Sequence, residues 1–258
     1  MLPLIQRLAF CLEILLATAV INSFQPRTAQ GQSPTVLESK NENLPHHRSL
    51  SLETWPVDNA VKMSGPLPSV IQVWLSHDPQ RSPLEFGFNT DATEVTVFLP
   101  PTQKPKSDSG KSPLTLEFLI TETTTTHPDG VVVLSALDSE VIGTQAKLET
   151  HPGSHRIGFW LRKDDYVQWD AGIPAGNYDA ELVYSRAFET GTEVDVVIGE
   201  TKLTKVLEKT GSWYRYRTMP LGQVEIDKKP TQRIEVRVAK IVNGGVMNLK
   251  AIVLTPAK

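Results

Sequence analysis

The sequence predicts an all-β protein: a C-terminal β-sandwich of jelly-roll type preceded by a small antiparallel β unit. Three observations carry this expectation. Short apolar segments alternate with period two, as in Tyr178-Asp-Ala-Glu-Leu-Val-Tyr184, where Tyr178, Ala180, Leu182 and Tyr184 share one face. The 19 prolines and 16 glycines fall between such segments, where turns belong. No window sustains an apolar helical period for long. With 40% hydrophobic and 21% charged residues in 258, the composition is that of an ordinary globular protein. The formal net charge of -3 leaves no basic excess to attract a polyphosphate backbone, so nucleic acid is not an expected partner.

Taken in order, the chain opens with Arg7 and an apolar run from Leu8 to Ile21. That pattern is expected of a secretory signal peptide, and at about 14 residues the run is shorter than the roughly 20 of a bilayer-spanning helix. Ala29-Gln30-Gly31 supplies the small residues of a cleavage site, so residues 1–31 are expected to be removed from a secreted or periplasmic protein. Glu13 interrupts the run, and an uncleaved anchor is the alternative. No other membrane association is expected. The single cysteine, Cys11, lies inside the segment after Phe10, which is too large for a lipoprotein box, so the mature chain needs no disulfide.

Residues 32–64 are polar and irregular and are expected to form a disordered lead-in. The adjacent His46 and His47 point apart in an extended chain and predict no metal site. Strands are expected at Val70–Leu75, Leu84–Phe88, Glu94–Leu99 and Leu114–Ile120, giving a small β-domain over 65–122. Residues 100–113 read as a long exposed loop, and the Thr-rich stretch 123–130 as a linker. From 131 to 258 strand signals recur at Val131–Leu134, Glu140–Ile142, Tyr166–Trp169, Tyr178–Tyr184, Glu193–Ile198, Lys202–Leu207, Trp213–Met219, Arg233–Ile241 and Val246–Leu254.

The run Ile157-Gly-Phe-Trp160, Asp165-Tyr-Val-Gln-Trp169 and Ile173-Pro-Ala-Gly-Asn-Tyr178, followed by Thr210-Gly-Ser-Trp213 and Val246-Met-Asn248, resembles family 6-like carbohydrate-binding modules of the galactose-binding-like jelly-roll kind. The likeness covers about residues 131–258. It looks most like the version appended to bacterial secreted α-L-fucosidases, where a small β-domain ending like Val95-Thr-Val-Phe-Leu-Pro100 precedes the module. Only about 64 residues precede the first expected strand, against roughly 250 for a (β/α)8 barrel, so no catalytic barrel is expected in the chain.

The resemblance implies a sugar site among loops at one end of the sandwich. Carried over by position, Trp160 or Phe159, Trp213 and Asn248 would bind carbohydrate, with Tyr166 and Tyr214 as lesser candidates. The C–H face of a pyranose packs on such rings while amides orient its hydroxyls. Each candidate also has a structural reading: Trp213 and Trp160 serve equally well as core, and Asn248 as a buried amide satisfying a loop. Trp169, mid-strand, reads as core. The resembling modules often hold calcium through first-strand acids and an Asp two places after the last-strand Asn. Here those positions are Leu134-Ser-Ala-Leu137 and Lys250, so no metal and no cofactor is expected.

Asp164 and Asp165 are sequence neighbours that point apart when extended, and no Gly-x-Ser-x-Gly or His-Glu-x-x-His occurs, so no enzyme is expected. The expected partner is a polysaccharide or glycan, with a separate secreted glycosidase alongside. The alternatives are a protein–protein interaction module and a non-catalytic fragment of an α-L-fucosidase-like hydrolase.

Overall fold

Alternating β-branched and aromatic residues form strands because each strand can turn one row of apolar side chains away from water. The computed structural model describes residues 38–39, 46–64, 69–104, 114–151 and 154–258. The expected signal segment, Cys11 and most of the 100–113 loop lie outside the described residues. The N-terminal part holds β1 (Glu38–Ser39), β2 (His47–Leu52), β3 (Ala60–Ser64), β4 (Val70–Leu75), β5 (Glu85–Phe88), β6 (Glu94–Phe98) and β7 (Leu114–Ile120). Short strands follow: β8 (Thr125–Thr126), β9 (Val132–Ser135), β10 (Glu140–Ile142), β11 (Lys147–Glu149) and β12 (Arg156–Gly158). The long strands come last: β13 (Tyr166–Ala171), β14 (Gly176–Ser185), β15 (Thr192–Ile198), β16 (Thr201–Leu207), β17 (Arg215–Ile226), β18 (Gln232–Lys240) and β19 (Asn248–Pro256).

These strands pair into three sheets. A ten-stranded sheet runs β11-β12-β19-β14-β17-β5-β6-β3, with β9 beside β19 and β8 beside β9. One face of its C-terminal half is covered by the five-stranded sheet β10-β13-β18-β15-β16, and together they make the β-sandwich. The other face meets the four-stranded sheet β1-β2-β7-β4. Period-two alternation then supplies two cores from one set of strands. Leu182, Ile252 and Leu254 pack with Val167, Trp169, Val196 and Val236 in the sandwich. Their neighbours Val183, Ala251 and Val253 point the other way, into a core with Leu50, Leu116 and Phe118. Buried on both faces, β19 reads as a continuous apolar run rather than an alternating one. At about 1.5–3 kcal/mol for each large apolar side chain removed from water, the N-terminal unit contributes to the stability of the C-terminal sheet.

The two units are joined by hydrogen-bonded strands as well as by packing. Arg215 and Tyr216 of β17 pair with Gly87 and Phe86 of β5. Tyr216 is fully buried and stacks on Phe86 with ring centroids 5.6 Å apart.

Two sequence expectations change here. Within the expected lead-in, 47–52 and 60–64 form strands that bury Leu50, Leu52, Val61 and Met63. Each carries only two large apolar residues among polar or small ones, and each folds by pairing with a distant partner, β7 or β6. The 123–130 stretch is no free tether, because β8 pairs with β9 and His127 is 3% exposed. In β19, a register shift against β14 pairs Val183 with Ala251 and Tyr184 with Leu249, leaving Lys250 as the extra residue of a bulge. Its amine is buried 4.9 Å from the Phe88 ring centre and 5.5 Å from that of Tyr216, with no hydrogen-bond partner. Burial pushes its pKa down to about 7.

Candidate functional site

At the end of the sandwich where β12 and β14 finish and β19 begins, a cavity of about 330 Å3 opens, bordered by Phe159, Phe188, Trp213, Tyr214 and the Glu149–Arg156 pair. Asn248, which opens the last strand, and Met247 before it reach it, as does Trp160.

Phe159 and Trp160 are adjacent, and the backbone decides which one meets solvent. Phe159 adopts φ 53°, a left-handed conformation that costs a bulky residue on the order of 1–2 kcal/mol. That turn leaves its ring 54% exposed and sends the next side chain inward. Trp160 is accordingly 1% exposed, and its indole N–H donates to the Asp165 carbonyl at 3.1 Å. Of the two readings the sequence leaves open for Trp160, the structure gives the core one: it touches the cavity floor, and Phe159 takes the rim position. The loop beneath is fixed by Asp165. Burial works against its charge, but backbone N–H donors from Ala146, Thr144 and Gln145 hold its pKa below the usual carboxylate range.

Trp213 is half-buried and meets Phe188 edge to face, with centroids 5.3 Å apart and planes at 86°. Its carbonyl accepts from the Ser185 hydroxyl at 2.7 Å and from the Asn248 amide at 2.8 Å. Asn248, 7% exposed, therefore both reaches the cavity and positions the Trp213 backbone. Two glycines make room. A Cβ at Gly245 would lie 2.9 Å from Phe188 and 3.1 Å from Trp213, and one at Gly158 would lie 2.2 Å from the Glu149 carboxylate. The loops bearing Phe188 and Gly245 are tied together by Arg186, which is fully buried. Its guanidinium donates to the carbonyls of Glu189, Val242, Gly245 and Val246, and burial lowers its pKa.

The polar side of the cavity is an ion pair. Arg156 Nε donates to Glu149 Oε2 at 2.8 Å, and its guanidinium carbon lies 5.2 Å from the Tyr214 ring centre. Burial alone would lower the Arg156 pKa, but Tyr216 and Glu149 raise it. Lys147 places its amine 4.1 Å from the Phe159 ring centre. Such a cavity offers aromatic rings to apolar faces and a fixed donor–acceptor pair to hydroxyls.

Of the candidate residues read from sequence, the fold thus brings Phe159, Trp160, Trp213, Tyr214 and Asn248 to one cavity. Tyr166 does not join them. It begins β13 in the other sheet of the sandwich, where Arg237 caps its ring at 3.8 Å. Glu149, Arg156 and Phe188 were not anticipated. The first two face each other across a β11–β12 hairpin of three-residue strands, and Phe188 lies in coil without any periodic signal. Among the described residues no group of three or more His, Cys, Asp or Glu could hold a metal ion.

No family model and no curated protein sequence matches the chain. Among solved structures, a family 35 carbohydrate-binding module from Clostridium thermocellum is similar at 17% identity, over 49% of this chain and 98% of that one, with a TM-score of 0.42. The C-terminal family 6 module of a laminarinase from Zobellia galactanivorans is similar at 18% identity, over 48% and 98%, with a TM-score of 0.40. An uncharacterized protein from Listeria monocytogenes is similar at 14% identity over 86% of this chain and 20% of that one, with a TM-score of 0.41.

Proposed function

We propose that the protein is a non-catalytic glycan-binding protein that holds a pyranose unit of a polysaccharide in the Trp213 cavity. The observation that carries this reading is the meeting of Phe159, Trp213 and Tyr214 with the Glu149–Arg156 pair around one opening. The rings accept the C–H face of a sugar, each contributing on the order of 1 kcal/mol beyond its area, while carboxylate and guanidinium orient its hydroxyls. Binding is weak by this arithmetic, as for a module that works through repeated contacts with a polymer. Glu149 is the one carboxylate among the described residues lining the cavity, and its bond to Arg156 leaves no paired acid and base for hydrolysis. On this reading the protein is exported, which the apolar run from Leu8 to Ile21 supports, and a separate secreted glycosidase would act on the same polymer.

Affinity electrophoresis against a polysaccharide panel tests the reading. Retardation by at least one polymer is expected, abolished in Trp213→Ala and Phe159→Ala with unchanged melting temperatures. Retardation that survives both changes would place the sugar elsewhere. A second reading, a protein-binding surface, draws on Leu161, which is 50% exposed beside Phe159. It gains if no glycan retards the protein and Leu161→Asp abolishes capture of a partner.

A further inference from the structure

We infer that the glycan-binding surface continues across the seam between the two β units, so that the ligand is an extended saccharide chain and the N-terminal unit supplies one of its subsites. The inference rests on the proposed function of the Trp213 cavity. A second cavity, of about 350 Å3, shares the Tyr214 wall with the first. The segment 210–215 borders both: Trp213 faces the first, while Thr210, Gly211 and Ser212 line the second. The opposite wall of the second cavity comes from β5 and β6, including Phe88, Glu94, Thr96 and Phe98.

This wall is rigidly attached. The Phe88 N–H donates to the Tyr214 carbonyl at 2.9 Å, extending the β17–β5 ladder to the base of the cavity. A Cβ at Gly87 would lie 2.9 Å from the same carbonyl, so glycine there permits the close approach of the two backbones. Arg215 lies 4.0 Å over the Phe98 ring and donates to Glu85 at 2.6 Å, fixing both side chains at the seam. The lining repeats the chemistry of the first cavity: aromatic rings at Tyr214 and Phe98, a carboxylate at Glu94, and hydroxyls at Thr96 and Ser212. Each cavity lies near the lower end of the roughly 300–1,000 Å3 of small-molecule sites. Sharing a wall and a chemistry, they suit successive units of one chain. The second contact is then intramolecular, and affinity rises with ligand length.

The test titrates the full chain by calorimetry with oligosaccharides of graded length. These are made from whichever of β-1,3-glucan, β-1,4-mannan or β-1,4-xylan retards it on affinity gels. Affinity should rise about tenfold once an oligomer is long enough to pass Tyr214. Thr96→Trp, which fills the second cavity, should return long oligomers to the affinity of short ones, and Glu94→Gln should lower long-chain affinity without adding bulk. An affinity independent of length overturns the inference. So does a length dependence unaltered in both variants, provided their melting temperatures match the parent. Trp213→Ala separates the two claims. If it removes binding at every length while Thr96→Trp changes nothing, only the extension fails; if binding survives Trp213→Ala, or no polymer is retained, the proposed function fails with it.

Discussion

Replacing Arg186 by Met should destabilise the protein by about 4 kcal/mol and remove glycan binding with it. The magnitude follows from the acceptors left behind. Arg186 donates to four carbonyls, those of Glu189, Val242, Gly245 and Val246. Val242 keeps a second donor in the Thr192 hydroxyl, and Glu189 is exposed and can turn to water. Gly245 and Val246 are buried and would lose this partner in the dry interior, at about 1–3 kcal/mol each. Their sum, about 2–6 kcal/mol, sits with the 3–5 kcal/mol typical of breaking a buried charged network. For a chain of this size that is about 8–16 °C in melting temperature. Arg186→Lys should rescue little, because one ammonium cannot reach carbonyls on two separate loops. Urea unfolding followed by far-ultraviolet dichroism gives the stability, and tryptophan emission reports the Trp213–Phe188 contact. A loss under about 1 kcal/mol, or a stable variant that still binds glycan, would refute the claim that this guanidinium builds the cavity rim.

Acid should unfold the protein through His127, whose pKa burial and His46 push down to about 4, with Asp129 opposing and His47 adding to the fall. A base whose folded pKa lies below its unfolded value near 6.5 keeps its full stability above pH 6.5 and loses it as pH falls through 4. The loss between pH 8 and pH 4.5 is on the order of 2 kcal/mol, and His127→Phe should abolish most of it in urea melts at the two pH values. Phe159→Gly should raise stability by about 1 kcal/mol by relieving the left-handed backbone and at the same time weaken glycan binding. A fall in both would mean the ring mainly supports the fold. Lys250→Met should stabilise the protein at neutral pH by about 2 kcal/mol, since a buried unpaired amine favours its charged form only in the unfolded chain. In the parent protein calcium at micromolar levels should leave the melting temperature unchanged, because Lys250 offers the ion no oxygen ligand, and a clear upward shift would contradict this.

What was legible in the sequence was what local pattern encodes. Strands such as Leu114–Ile120 and Glu140–Ile142 carry their β-branched and aromatic residues between turn signals and lie where the pattern predicts. The strands Lys147–Glu149 and Arg156–Gly158 do not, since each holds a single apolar residue between charged or glycine neighbours. Pairing with β19 holds the second, and that partner is some ninety residues away in sequence (Ile157 to Leu249). The three-layer arrangement was hidden for a related reason: an apolar run in β19 is the same in sequence whether a second sheet or a neighbouring loop covers its far face. At the site, the order Phe159-Trp160 announced an aromatic at a strand end but not which ring faces water. That choice rests on a left-handed φ at Phe159 and on the Asp165 carbonyl that receives the Trp160 indole N–H. Asn248 was legible as a last-strand amide, whereas its bond to the Trp213 carbonyl depends on two segments meeting in space.

The five tryptophans provide the most direct measurement of the central claim, since each contributes one indole N–H resonance to a nitrogen–proton correlation spectrum. On titration with a retained oligosaccharide, the Trp213 resonance should move progressively, while that of Trp169, enclosed in the sandwich core away from the cavity, stays in place. A titration in which Trp213 remains fixed while another indole shifts would contradict the account.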